Sequence, residues 1–192
     1  EISTREDYFG NRAHYVAITE PHLELRINAR SQVAVTLGPV VATPLNCAQT
    51  RAWLKETTQP DAHAARQFRY ATPATPALPF VREWAQRVFP DGRPLLDGVS
   101  QLCDEIHRQY IFDPGATHPG TLLEDFMRMQ RGVCQDFAHL AIAVLRAAGL
   151  AGRYVSGYLL THPPPGMPRQ IGADSSHAWA SVYVPNAGWL DF

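Results

Sequence analysis

Three cysteines in 192 residues are few. Cys47, Cys103 and Cys134 are too scattered for a disulfide framework, and no C-x-x-C or paired Cys/His spacing offers a structural zinc site. Free thiols in a reducing compartment are the expected state, which places the chain in the cytoplasm as an expectation. Long apolar runs are also missing. The best, Leu140 to Leu150, is broken by Arg146 and falls short of the roughly 18 residues that span a bilayer. No signal-peptide pattern is visible, and the first residue is Glu1 rather than Met. Excess charge of either sign is absent as well: 17 basic residues oppose 18 acidic ones. That balance creates no field to draw nucleic acid or an anionic membrane, so neither is an expected partner. There is no internal repeat, no low-complexity tract, and no acidic cluster with the spacing of a calcium site. No metal or cofactor is expected.

What remains is an ordinary globular composition, 45% hydrophobic and 18% charged, enough for one domain or a domain with an appendage. Residues 1–46 read as strands. Gly10-Asn11 is a turn signal, and Leu23, Leu25, Ile27, Val33 and Val35 nearly alternate. So few strands bury no face without partners from elsewhere. Residues 47–94 form a proline-rich connector with short helices. Phe80-Val81, Trp84-Ala85 and Val88-Phe89 recur at helical spacing there. Residues 95–192 carry the clearer elements. Leu96, Val99, Leu102, Cys103, Ile106 and Tyr110 make one helical stripe, in which Cys103 reads as core; Cys47 has the same reading. Thr121 with Glu124 forms a capping-box pattern for a short helix that should stop near Arg131-Gly132, with Gly132 in the left-handed conformation. A strongly apolar helix follows from Cys134 to about Ala148, stopped by Gly149. Strands are expected at 153–160, 177–184 and 189–192, with a Pro/Gly-rich loop over 162–174 that is either a substrate gate or a plain connection.

Gly132-Val133-Cys134-Gln135-Asp136 sets a cysteine on the first turn of that helix. Free N–H groups and the positive end of the helix dipole favour the thiolate, the reactive form, and the same donors suit an oxyanion. A core cysteine at a helix start is the plainer alternative. The base of a thiol enzyme is a histidine within hydrogen-bond reach. His139 lies five residues on, about 500° around the helix, and projects away from the sulfur. His118 lies in a loop. His177 opens a strand, with Trp179 on the same face, and is modestly preferred over a simple aromatic cluster. Asp136 can accept N–H bonds at the helix start or merely favour the dipole. Trp179 can wall an acyl site or pack as core.

The run RGVCQDFAHLAIAVLRAAGLAGRYVSGYLL over 131–160, followed by SSHAWASVYVPNAGWLDF, resembles the core of the bacterial transglutaminase-like family. Phe112-Asp113-Pro114 fits it too, and residues 7–35 resemble the end of the β-rich N-terminal domain of bacterial members. The resemblance implies an α+β, papain-like fold in which the cysteine helix packs on an antiparallel sheet. It implies three regions: a β-rich N-terminal remnant at 1–46, a connector at 47–94, and the core at 95–192. It implies Cys134 as nucleophile, His177 as general base, and an acid that normally follows the position held by Phe192. Asp191, of the same strand parity, is the acid present in this chain. The implied chemistry is acyl transfer from a peptide or glutamine-like amide through an acyl-thioester, with a peptide or protein amide as substrate and an amine as acceptor. A cysteine protease or amidase, with water as acceptor, shares every step before the partition. A non-catalytic binding or scaffold module is the reading from a different class.

Overall fold

The computed structural model of the chain describes residues 2–28, 30, 32–34, 36, 42–159 and 176–192. The loop expected at 162–174 and the last residue of the strand expected at 153–160 lie outside them. The chain divides into two compact units, Glu1–Pro39 and Val40–Phe192.

In the first unit, β1 (Ile2–Glu6) and β2 (Arg12–Val16) form an antiparallel hairpin. Its turn is organised by Asp7, whose carboxylate accepts the N–H groups of Phe9 and Asn11, both at 2.8 Å. Beyond β2 the expected strand pattern fails. Leu23, Leu25, Ile27 and Val33 are exposed, and none belongs to a strand. Alternation is only a preference for a half-buried pleated surface, and among the described residues of this unit the hairpin alone supplies paired strands.

The second unit is α+β. It begins with α1 (Cys47–Glu56), α2 (Pro60–Ala65) continued by a 3-10 turn (Arg66–Arg69), α3 (Pro79–Val88) and α4 (Leu95–Gln109). Asn46 caps α1 reciprocally: its side chain accepts from Gln49 N–H at 2.8 Å, and its own N–H donates to Gln49 Oε1 at 3.0 Å. Prolines stand at the first turns of α2 and α3, where a missing N–H costs no helical bond. After β3 (Ile111–Phe112) come α5 (Leu123–Met129), β4 (Arg131–Gly132) and α6 (Cys134–Ala147). The sheet is β5 (Gly152–Gly157), β6 (His177–Val184) and β7 (Gly188–Asp191), antiparallel in the order β5-β6-β7.

The α6 helix is the centre of this unit. Leu140, Ile142, Ala143, Val144 and Leu145 are almost completely buried, so nearly every side of the helix is covered. They pack with α3, α4, Phe126 of α5, and the β6 side chains Ala180, Val182 and Val184. Full burial of each large aliphatic side chain contributes about 1.5–3 kcal/mol, and that burial fixes the helix that carries Cys134. Gly149, at φ 74°, ends it as its sequence position predicts. The other face of β6 meets a second cluster, in which Tyr183 packs with Leu54, Ala62, Ala65 and Ala151.

Two local expectations are corrected. The helix before Cys134 starts at Leu123 without a side-chain cap, because the Thr121 hydroxyl accepts from His118 N–H (2.9 Å) within its own loop. That helix stops at Gln130, which takes the left-handed conformation at φ 54°. Gly132 lies instead in β4.

Candidate active site

The cysteine is delivered by a braced turn. β3 and β4 pair in parallel over two residues, Ile111 opposite Arg131 and Phe112 opposite Gly132. Asp113 N–H closes the join on the Gly132 carbonyl at 2.8 Å. Gly132 is required by space: a Cβ there would stand 2.5 Å from Asp136 Oδ2 and 2.8 Å from the Phe126 ring. Asp136, nearly fully buried, uses one carboxylate oxygen to accept both Val133 N–H (2.8 Å) and the Thr117 hydroxyl (2.7 Å). Gln135 Nε2 donates to the Pro119 carbonyl at 3.2 Å. The 113–120 loop is thereby strapped to the start of α6, and Asp136 acts as the buckle.

Cys134 is the first residue of α6 and is half-buried. The N–H groups of Asp136 and Phe137 both donate to the Val133 carbonyl, at 2.9 and 3.2 Å. Among the described residues, those of Cys134 and Gln135 make no hydrogen bond. Free donors and the positive helix end therefore coincide at the sulfur.

A cavity of about 410 Å³ opens beside it. Its walls come from α4 (Cys103, Ile106, His107), Tyr110, Phe112, α6 (Cys134, Phe137, Ala138, Ala141), β6 (Ala178, Trp179, Ala180) and Phe192. The cavity is mainly apolar. Two of its residues escaped the sequence reading. Cys103 packs against the core, as its place in the α4 stripe implies, but also faces the cavity, and His107 lies outside that stripe and carries no sequence signal of its own. Burial pushes the Cys103 and Cys47 thiols up.

His177 opens β6 opposite Gly157, one residue before the cavity-lining Ala178. Its Nε2 is buried and has no hydrogen-bond partner among the described residues, and the same holds for Trp179 Nε1. No hydrogen bond joins His177 to Cys134 among the described residues. Trp179 lies over Gly157, where an added Cβ would approach its ring to 2.7 Å. His118 and His139 are not among the residues lining the cavity. His118 is exposed and accepts from Gly120 N–H at 3.1 Å. His139 packs on Tyr154, with ring centroids 5.3 Å apart, and burial holds its pKa below the usual imidazole range.

Asp191 pairs with Ser181, four residues along β6 from His177 and so roughly 13 Å away. That is too far for a hydrogen bond. Ser181 in turn pairs with Arg153 on β5, and the Asp191 charge supports the Arg153 guanidinium, which burial pushes down. Phe192 N–H donates to the Ala180 carbonyl at 3.0 Å, so the β6–β7 register continues to that point.

Comparison with known proteins agrees with this architecture. Residues 82–192 match the transglutaminase-like superfamily, and residues 1–34 match the bacterial transglutaminase-like N-terminal region. An uncharacterised protein of Mycobacterium tuberculosis is 40% identical over 186 residues, covering 95% of this chain and 58% of that protein. The chain thus spans less than two thirds of that relative. The protein-glutamine gamma-glutamyltransferase of Pseudomonas aeruginosa is 32% identical over 82 residues, 42% of this chain and 12% of that protein. Among solved structures, a candidate cysteine protease from Cytophaga hutchinsonii superposes with a TM-score of 0.54 at 26% identity, covering 66% of this chain and 40% of its own. The helix-borne cysteine, the antiparallel sheet behind it and the match over 82–192 together show that the chain belongs to the transglutaminase-like superfamily.

Proposed function

We propose that this protein catalyses cysteine-dependent acyl transfer on peptide or glutamine-like amides through an acyl-thioester. One observation carries the reading: Cys134 stands at the first turn of a rigidly buried helix, beside unbonded N–H groups, on a cavity whose opposite wall is the start of β6. The likeness to the Pseudomonas aeruginosa glutamyltransferase supports the choice of amide.

In this mechanism the Cys134 thiolate attacks the amide carbonyl carbon, and the carbonyl electrons move onto oxygen. The N–H groups of Cys134 and Gln135 are the donors for that oxyanion; one such donor contributes roughly 3–4 kcal/mol in acyl transfer. Collapse expels the amine, which takes its proton from the His177 imidazolium. An incoming amine or water then attacks the thioester, with His177 accepting the proton. Asp136 positions the nucleophile without touching substrate. Trp179 and the neighbouring alanines wall the acyl group. Asp191, opposite Ser181, lies too far along the sheet to orient His177, whose buried Nε2 has no hydrogen-bond partner among the described residues.

Hydrolysis is the second reading, favoured by the likeness to the Cytophaga hutchinsonii structure. Incubation of the protein with a glutamine peptide, with and without a labelled primary amine, separates the two. Incorporated label supports transfer, and carboxylate product in both arms supports hydrolysis. Neither product, together with label-free partner capture that survives Cys134→Ala, would replace both with a binding module. Because His107 also lines the cavity, His107→Ala is the control for His177→Ala. Loss of turnover in His107→Ala alone would overturn the choice of base.

A further inference from the structure

A second cavity, of about 370 Å³, lies at the other end of α6. Twelve residues of helix separate Cys134 from Arg146, roughly 18 Å, so this cavity is distinct from the one at the cysteine. Three guanidinium groups line it: Arg69, Arg82 and Arg146. Tyr70 and Thr75 supply hydroxyls, and no Asp or Glu is among its lining residues.

The three arginines are fixed in one manner. Each donates Nε–H to a backbone carbonyl: Arg69 to Gly149 at 2.8 Å, Arg82 to Ala77 at 3.0 Å, and Arg146 to Gly152 at 3.0 Å. Arg146 also donates to the Thr75 hydroxyl at 2.9 Å. A guanidinium held by Nε keeps terminal N–H groups for a second partner, in the planar fork that matches an oxyanion, and in Arg146 one terminal nitrogen is shared with Thr75. Four other arginines of this unit carry an ion pair: Arg51 with Asp91, Arg87 with Glu105, Arg128 with Asp125 and Arg131 with Asp113. Among the described residues, Arg69, Arg82 and Arg146 have no carboxylate within ion-pair distance. Arg146 is half-buried, and burial without a counter-charge pushes its pKa down. The end of the α6 dipole and the carbonyls offset part of the charge, but carbonyls are neutral and leave three cations facing one space.

The geometry points to a binding site for a multiply charged phosphate-type oxyanion, carried on a small molecule, between Arg69, Arg82 and Arg146. Three cations exceed what a monocarboxylate can balance. A phosphate monoester brings about −1.5 to −2 charges and three strong acceptor oxygens.

Pyrophosphate is the probe. It is titrated into the whole chain at low ionic strength by calorimetry, with thermal shift in parallel and citrate as the tricarboxylate comparator. Saturable binding is expected, with a midpoint rise that grows with pyrophosphate and a weaker response to citrate. Arg82→Gln and Arg69→Gln should each weaken binding about tenfold. Arg82 is exposed, so its substitution leaves the fold intact, which circular dichroism checks. Arg108→Gln, on the exposed side of α4, should leave affinity unchanged. The proposal is overturned if pyrophosphate gives no heat or shift at millimolar concentration. It is equally overturned if both cavity variants bind as the parent does, if Arg108→Gln weakens binding as much as they do, or if citrate binds more tightly.

Discussion

Substitution of Gly132 by alanine tests the link between the core and the nucleophile. A Cβ at this position would lie 2.5 Å from Asp136 Oδ2 and 2.8 Å from two carbons of the Phe126 ring. Neither neighbour can give way cheaply. Phe126 is fully buried, with ring centroids 4.9 Å from Tyr110 and 5.6 Å from Phe137. Forcing a methyl into such packing costs about 1–3 kcal/mol. Asp136 Oδ2 accepts both the Val133 N–H and the Thr117 hydroxyl, and each hydrogen bond to a charged group contributes about 1.5–3 kcal/mol. Loss of one is expected. Alanine narrows the unfolded ensemble and returns about 0.4–1 kcal/mol. The net expectation is destabilisation of about 2–5 kcal/mol, equivalent to a midpoint drop of about 5–15 °C for a unit of this size. Urea unfolding followed by tryptophan fluorescence is the assay, since Trp53, Trp84, Trp179 and Trp189 all lie in the second unit. The variant should also alkylate at Cys134 with an altered rate, because the start of α6 moves. Stability within about 0.5 kcal/mol of the parent, with unchanged Cys134 reactivity, would refute the packing argument.

Other predictions concern the supports around the site. Glu105 is buried and accepts from Arg87, Gln101 and Trp84, and its hydrogen bond with Arg87, foremost, holds its pKa down at about 2. Its stabilisation is present above the unfolded carboxylate value near 4.5 and is lost as pH falls towards 2. Glu105→Gln should flatten the stability profile across that acid window, as read by denaturation at successive pH values; a profile parallel to the parent would contradict this. Asn46→Ala removes the reciprocal cap of α1 and should cost about 1 kcal/mol in the same urea assay. Gly157→Val collides with the Trp179 ring and should shift tryptophan emission and lower stability, whereas an unchanged spectrum would show the ring to be free to move.

The parts of the fold legible in the sequence are those where local signals agree with burial. Cys134 to Gly149 has an apolar surface too broad for anything but a central helix and a glycine where the helix must stop. β6 alternates strictly because its two faces meet different clusters, Val182 against α6 and Tyr183 against α1 and α2. The failures have physical causes. Thr121 competes for a loop N–H rather than a helix one, and Gln130 accepts the left-handed turn that glycine was expected to take. The two-residue β3–β4 pairing is too short to leave a pattern. The cavity arginines at 69, 82 and 146 are brought together only by tertiary packing, and the α4 stripe neither tells the core side of Cys103 from its cavity side nor includes His107. At the site itself, the cysteine and the histidine strand were legible, whereas the displacement of Asp191 from His177 depends on a register that strand parity alone cannot give.

The most direct test of the central claim is the rate of iodoacetamide alkylation at each cysteine between pH 5 and 9, resolved by peptide mapping, in the parent and in His177→Ala. Cys134 is predicted to react much faster than Cys47 and Cys103 at pH 6–7, where burial keeps the other two protonated, and to lose much of that advantage without His177. If Cys134 reacts no faster than Cys47 and Cys103 in the folded protein, or is indifferent to His177, the assignment of a thiol nucleophile with a histidine base is contradicted.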